Sequence, residues 1–180
     1  MGALVSVVIP CYNPNRFLEE TLASVRAQTY RPIEIIVVND GSTAAEGLEL
    51  LKSVAPRVDR YIEQPNGGLG AARNTGFRAA AGPYVLPLDA DDRIAPAFVA
   101  ECMAAIETHP EAAFVYADYR LFGDVEYVER LPDYNLADLM EQNTLCYCSL
   151  IRRADWLDAG GYDESMRFGY EDWDFWLRLA

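Results

Sequence analysis

The sequence predicts a three-layer α/β domain with a mostly parallel central sheet, and three observations carry that expectation. Short β-branched runs, Leu4-Val5-Ser6-Val7-Val8-Ile9 and Ile33-Glu34-Ile35-Ile36-Val37-Val38, are nearly continuous in apolar character, as strands covered on both faces should be. Stretches of helical periodicity alternate with such runs through the first half of the chain. At 180 residues the chain has the length of one domain and buries a substantial core without disulfide or metal staples.

The elements follow in order. After the first strand, Leu18, Leu22 and Val25 make one apolar helix stripe, and Asn13-Pro14 is expected to start that helix, Asn as cap and Pro in the first turn. The second strand completes a βαβ unit over residues 4–38. A helix from Ala44 to Val54, a strand near Arg60-Tyr61-Ile62 and a helix from Leu69 to Ala80 come next. Tyr84-Val85-Leu86-Pro87-Leu88 reads as another strand. Phe98, Val99, Cys102, Met103 and Ile106 repeat at helical spacing, and Ala113-Phe114-Val115-Tyr116-Ala117 reads as a strand. The second half is less regular, punctuated by Gly123, Pro132 and Gly160-Gly161. The chain stops inside an amphipathic pattern, Trp176-Leu177-Arg178-Leu179-Ala180, so residues 1–180 are expected to be a single domain cut short at its C-terminal end.

A formal charge of −13 without a basic block argues against nucleic-acid binding and against attraction to anionic membranes. Cys11, Cys102, Cys146 and Cys148 are too few and too irregular for a disulfide framework or a zinc site, which leaves reduced thiols. No signal-peptide pattern opens the chain, and no apolar run reaches the about 20 residues that cross a bilayer. The expected location is the cytoplasm, free or peripheral to the inner face of a membrane.

Chemistry concentrates where strands end. Asp89-Ala90-Asp91-Asp92 places three carboxylates in four residues after a strand. Such crowding suits a hard divalent cation, Mg²⁺ or Mn²⁺, held with a substrate's phosphates; it equally suits an acidic turn capping the helix that begins near Pro96. Asn39-Asp40-Gly41-Ser42 is either a turn or a ligand site. Pro65 to Gly76 is glycine-rich at a helix start that favours an anion, yet it is neither a P-loop nor a Rossmann fingerprint. Arg73, one turn in, suits phosphate or lies on the surface. Glu171-Asp172 open an aromatic-rich helix as dipole partners or as a general base, while Tyr170, Trp173 and Trp176 fit the core better than a sugar platform. His109 sits at a helix exit and reads as structural.

Taken together and in this order, these motifs resemble the family 2 glycosyltransferases of GT-A fold, the nucleotide-diphospho-sugar transferase architecture. The resemblance covers essentially the whole chain: Val5 to Asn13, Val38 to Ser42, Asn66 to Asn74, Leu88 to Asp92, Gly160 to Glu164, and Glu171-Asp172. It implies an inverting, metal-dependent transfer from a nucleoside-diphosphate sugar, of UDP type, to a saccharide, lipid-linked or other hydroxyl acceptor in polysaccharide or glycoconjugate synthesis. Pro10, Tyr12 and Asp40 would hold the base, with Asp40 accepting from an imide N–H; Asn13 and Gly68 would join the nucleotide-binding set. Arg73 would support the base or diphosphate. Asp89-Ala90-Asp91 matches the D-x-D motif, one carboxylate meeting the ribose side and the last, Asp91, binding Mg²⁺ or Mn²⁺; Asp92 is an extra carboxylate that could share either role, as a second metal ligand or, in place of Asp89, on the ribose side. Asp172 matches the catalytic base. Gly161, Asp163, Glu164 and Glu171 would lie near donor sugar and acceptor. The Gln-x-x-Arg-Trp element of processive members is absent from the chain. A sugar-nucleotide nucleotidyltransferase would share the layers but needs a basic glycine-rich loop after the first strand, and a non-catalytic nucleotide-sugar-binding module would not need Asp172.

Overall fold

The computed structural model describes residues 2–180. Strands β1 (Val5–Cys11), β2 (Ile33–Asp40), β3 (Arg60–Gln64) and β4 (Tyr84–Pro87) are parallel, with β1 central: Val5 is level with Ile33 on one side and Tyr84 on the other. The sheet continues through β8 (Leu150–Arg152), antiparallel to β4, and ends on β5 (Phe114–Val115), giving the order β3-β2-β1-β4-β8-β5. A separate hairpin, β6 (Tyr119–Leu121) with β7 (Tyr127–Glu129), stands off the sheet. β8 is a strand that sequence reading missed, because Leu150-Ile151 is too short an apolar run to show a period.

Alternation along the strands divides the core into two layers. Val5, Val7 and Ile9 of β1 face helices α1 (Phe17–Arg26), α2 (Ala45–Val54) and α4 (Phe98–Thr108). Val8, Ile36 and Val38 face α3 (Leu69–Ala79), while Phe175 and Trp176 of α7 (Glu171–Leu179), Trp156 of α6 (Arg153–Asp158) and Leu139 of α5 (Leu136–Glu141) complete that side. The expected three-layer, mostly parallel architecture is therefore observed. α3 lies unusually close to the sheet: a Cβ on Gly76 would stand 2.2 Å from a methyl of Val8. No helix among the described residues is long and apolar enough to cross a membrane.

Asn13-Pro14 does not start α1, which begins at Phe17, whose N–H donates to Asn15 Oδ1 at 2.9 Å. The acidic turn does not cap α4 either, since that helix is flanked by Ala97.

Glu34 is a buried carboxylate within the sheet. It accepts from Ser6 Oγ (2.6 Å), the Ala81 N–H (3.0 Å) and Arg60 Nε (2.8 Å). Burial alone would raise its pKa, but these three donors outweigh it and hold the carboxyl below the ordinary 4.5. A depressed folded pKa contributes stability above the ordinary value, lost as the pH falls through the folded value. Glu34→Gln is expected to cost about 1–3 kcal/mol in urea unfolding at neutral pH. The gap to the unsubstituted chain should narrow below pH 4.5; a gap independent of pH would contradict this.

Candidate active site

Because β1, β2 and β4 are parallel, their carboxyl ends share one rim, the place where open α/β sheets bind ligands. Pro10, Tyr12 and Asn13 from the end of β1, Leu69 from the start of α3, and Asp89-Ala90-Asp91 after β4 enclose a cavity of about 280 Å³. Tyr12 is 56% exposed, so its ring is available to a ligand. Asn13 takes a left-handed backbone (φ 48°), which Asn tolerates better than most residues. Its side chain accepts from the N–H groups of Thr43 and Ala44 at 2.7 and 2.8 Å. The residue expected to cap α1 thus holds the segment just before α2 and ties the first rim loop to the second.

Asp40 is 3% exposed, and its carboxylate accepts from Gln64 Nε2 (2.7 Å) and from the Gly67 and Gly68 N–H groups (2.8 and 2.9 Å). It shapes the glycine loop and lines neither cavity. The Gly68 amide is committed to Asp40, and its φ of 91° serves the turn into α3.

Arg73 is neither on the surface nor open to a ligand. At 1% side-chain exposure it donates from one terminal nitrogen to Asp89 (2.9 Å) and from the other to Glu171 (2.7 Å), and its guanidinium lies 5.0 Å from the Tyr147 ring and 5.5 Å from that of Tyr162. Burial works against its charge, but the neighbouring carboxylates, Asp89 foremost, raise its pKa overall. Arg73 therefore positions Asp89, and Glu171, 6% exposed, is its buried partner. Tyr147 clamps the acidic turn: its hydroxyl accepts from the Asp89 N–H (3.1 Å) and donates to Asp92. Burial, then Asp89, push the Tyr147 phenol well up, so it remains a donor at neutral pH.

Asp172 follows Glu171 in the first turn of α7, whose N-terminal neighbour Tyr170 is left-handed (φ 65°) and 68% exposed, not core as expected. Trp176 is fully buried, and Trp173 is partly buried with its indole N–H donating to Leu139 O at 2.6 Å. Asn143 Nδ2 donates to Asp172 Oδ2 at 3.1 Å. Asp172, Asp92 and Tyr147 share a second cavity of about 960 Å³. Gly161, Asp163 and Glu164 lie outside both cavities. Asn74 pins their loop to α3, donating to Tyr162 O (2.8 Å) and Glu164 (2.9 Å) and accepting from the Tyr162 N–H (2.9 Å). Asp163 accepts from the Ser165 N–H, and a Cβ at Gly161 would meet Asn74 Oδ1 at 2.7 Å. Tyr147 and Asn143 escaped sequence reading because they lie in the irregular half, where no period or motif marks them.

No three His, Cys, Asp or Glu side chains among the described residues converge as a ready-made metal cage. The acidic turn nonetheless has the donors for a hard cation completed by a ligand's oxygens. Asp91 is exposed on the smaller cavity and is engaged by no protein donor among the described residues. Burial and the charges of Asp89 and Asp91 raise the Asp92 carboxyl, against the hydrogen bond from Tyr147, so negative charge is in excess there.

Comparison with known proteins agrees with this geometry. Residues 6–173 match the family described as Glycosyl transferase family 2. The chain is 41% identical over 124 residues to Glycosyltransferase GlyA of Streptococcus pneumoniae, covering 68% of this chain and 18% of that protein. It is 46% identical over 99 residues to the uncharacterized glycosyltransferase EpsJ of Bacillus subtilis, covering 54% of this chain and 28% of that one. The chain thus spans less than a third of either relative. Among solved structures, Staphylococcus aureus TarS in complex with UDP-GlcNAc superposes with a TM-score of 0.78 at 22% identity, over 97% of this chain and 52% of that one. The mannosyltransferase PcManGT of Pyrobaculum calidifontis, in complex with GDP-Man and Mn²⁺, gives 0.69 at 21% identity, over 98% and 51%. These two establish the GT-A fold.

Arg73→Met would leave Asp89 and Glu171 without their shared cation, and a loss of about 3–5 kcal/mol in urea unfolding is expected. Adding Glu171→Gln should recover part of it. A loss below about 1 kcal/mol, the scale of a surface pair, would contradict the buried bridge.

Proposed function

The chain belongs to glycosyl transferase family 2, and on that footing we propose that it transfers a sugar from a uridine-type nucleoside-diphosphate sugar to an acceptor hydroxyl, with inversion at the anomeric carbon, in polysaccharide or glycoconjugate synthesis. One observation carries the reading: the acidic turn stands between two cavities, Asp89 and Asp91 lining the smaller, Asp92 and Asp172 the larger. A donor lying across that turn would keep its nucleoside with Pro10 and Tyr12 and present its sugar towards Asp172. The nucleotides bound by TarS, UDP and UDP-GlcNAc, favour the uridine type.

Each residue then has a role that its surroundings allow. Tyr12 offers an exposed ring to the base, and Pro10 a rigid wall. Asp89, oriented by Arg73, faces the ribose side through its second oxygen. Asp91, with Asp92 beside it, would hold Mg²⁺ or Mn²⁺, which offsets the charge that develops on a departing diphosphate. Asp172, oriented by Asn143, takes the proton of the acceptor hydroxyl as that oxygen bonds to the anomeric carbon and the bond to the diphosphate oxygen breaks. General-base help of this kind is worth roughly 10²–10⁴-fold. Alignment of two substrates in adjoining cavities contributes further.

Two experiments test these assignments. Asp172→Asn should lower the transfer rate by roughly 10²–10⁴-fold while donor affinity, measured by calorimetry, is retained; unchanged turnover would remove Asp172 as base. Asp91→Ala should weaken UDP binding in Mn²⁺ and leave the affinity in EDTA unaltered, whereas equal losses under both conditions would argue against coordination.

A further inference from the structure

We infer that the larger cavity receives an uncharged saccharide as acceptor, and this rests on the reading of Asp172 as the base of a glycosyltransferase. At about 960 Å³ the cavity reaches the upper range of small-molecule sites and exceeds the 280 Å³ of its neighbour several-fold. One wall is the β6–β7 hairpin, which contributes Tyr119, Leu121 and Phe122 at 41%, 50% and 42% exposure. These side chains belong to neither core layer, and the sheet is closed without them. Exposed aromatic side chains gathered on one cavity mark a ligand surface more than a folding need.

Charge narrows the ligand class. The lining carries four carboxylates, Asp92, Asp118, Glu126 and Asp172, against two guanidiniums, Arg93 and Arg120. Both cations are already engaged: Arg93 is held by Glu20 at 2.9 Å and lies 3.9 Å from the centre of the Phe122 ring, and Arg120 is held by Glu126 at 3.0 Å. With Asp92 given over to the cation and the donor's diphosphate, Asp118, Glu126 and Asp172 still outnumber the two engaged guanidiniums, so a phosphate-bearing acceptor would meet net negative charge and no free cation among these lining residues, an unfavourable juxtaposition. A wholly apolar alcohol would desolvate the carboxylates with nothing to donate to them. A neutral pyranose satisfies both demands. Its C–H face packs on Tyr119 and Phe122, and its hydroxyls donate to the carboxylates, one of them to Asp172.

The test is an array of neutral, phosphorylated and uronic-acid-bearing glycans probed with the protein in UDP and Mn²⁺, alongside phosphatidylcholine vesicles carrying farnesyl phosphate, with UDP affinity measured separately by calorimetry. Neutral glycans should be retained, and Tyr119→Ala and Phe122→Ala, both at partly exposed positions, should each weaken retention at least about tenfold while UDP affinity stays within about twofold. Retention of only the phosphorylated or acidic glycans, capture on the farnesyl phosphate vesicles alone, or no retention of any glycan while UDP binds normally would each overturn the inference and leave the transferase reading standing. Failure to bind UDP with neutral glycans still retained would strike the transferase reading and keep the saccharide site.

Discussion

The rim is organised around the buried guanidinium of Arg73. From α3 it reaches Asp89 at the end of β4 and Glu171 at the start of α7, 98 residues further along the chain, and so fixes the distance between the acidic turn and Asp172. A cation with 1% exposure persists only with such partners, because removing it from water costs several kcal/mol. The rings of Tyr147 and Tyr162 flank it and exclude solvent. Specificity of arrangement, more than net stability, is what a buried bridge of this kind supplies.

The remaining loops are tied to one another with the same economy. Asn13 holds the segment just before α2, Asp40 holds the glycine loop, Asn74 holds the loop around Tyr162, and Tyr147 holds the acidic turn. Each uses a polar side chain to satisfy backbone groups that strand and helix ends leave unpaired. This leaves a few groups without such duties: the Tyr12 ring, the Asp91 carboxylate, and the aromatic wall of the hairpin. They join Asp89, Asp92 and Asp172, which protein partners orient, in meeting ligands in the proposed reaction.

Period and sheet topology explain what was legible in the sequence. The parallel strands and the helices over them announce themselves by period, and the carboxyl-end rule then places Pro10, Tyr12, Asp89 and Asp91 on one edge before any coordinates are known. Motif matching could not separate contact from support. Arg73, Asp40 and Glu171 carry charges that suit a ligand, yet their partners lie 16 to 98 residues away in the chain and emerge only with the fold. Tyr147 and Asn143 gave no signal at all, because a side chain that serves through one hydroxyl or one amide leaves no pattern in its neighbours. Asn13-Pro14 reads as the start of the next helix, whereas the left-handed turn directs the Asn13 side chain to the loop before α2.

The central claim is that the acidic turn, held by Arg73, anchors a nucleoside diphosphate through a divalent cation. Its most direct test is the thermal unfolding of the unsubstituted protein with nucleoside diphosphates, with Mn²⁺, and with both. A ligand at 100 times its Kd stabilises by about 2.7 kcal/mol, enough for a clear upward shift. A larger shift with diphosphate and Mn²⁺ together than with either alone is predicted; no shift with any nucleoside diphosphate, or the same shift in EDTA, would contradict it.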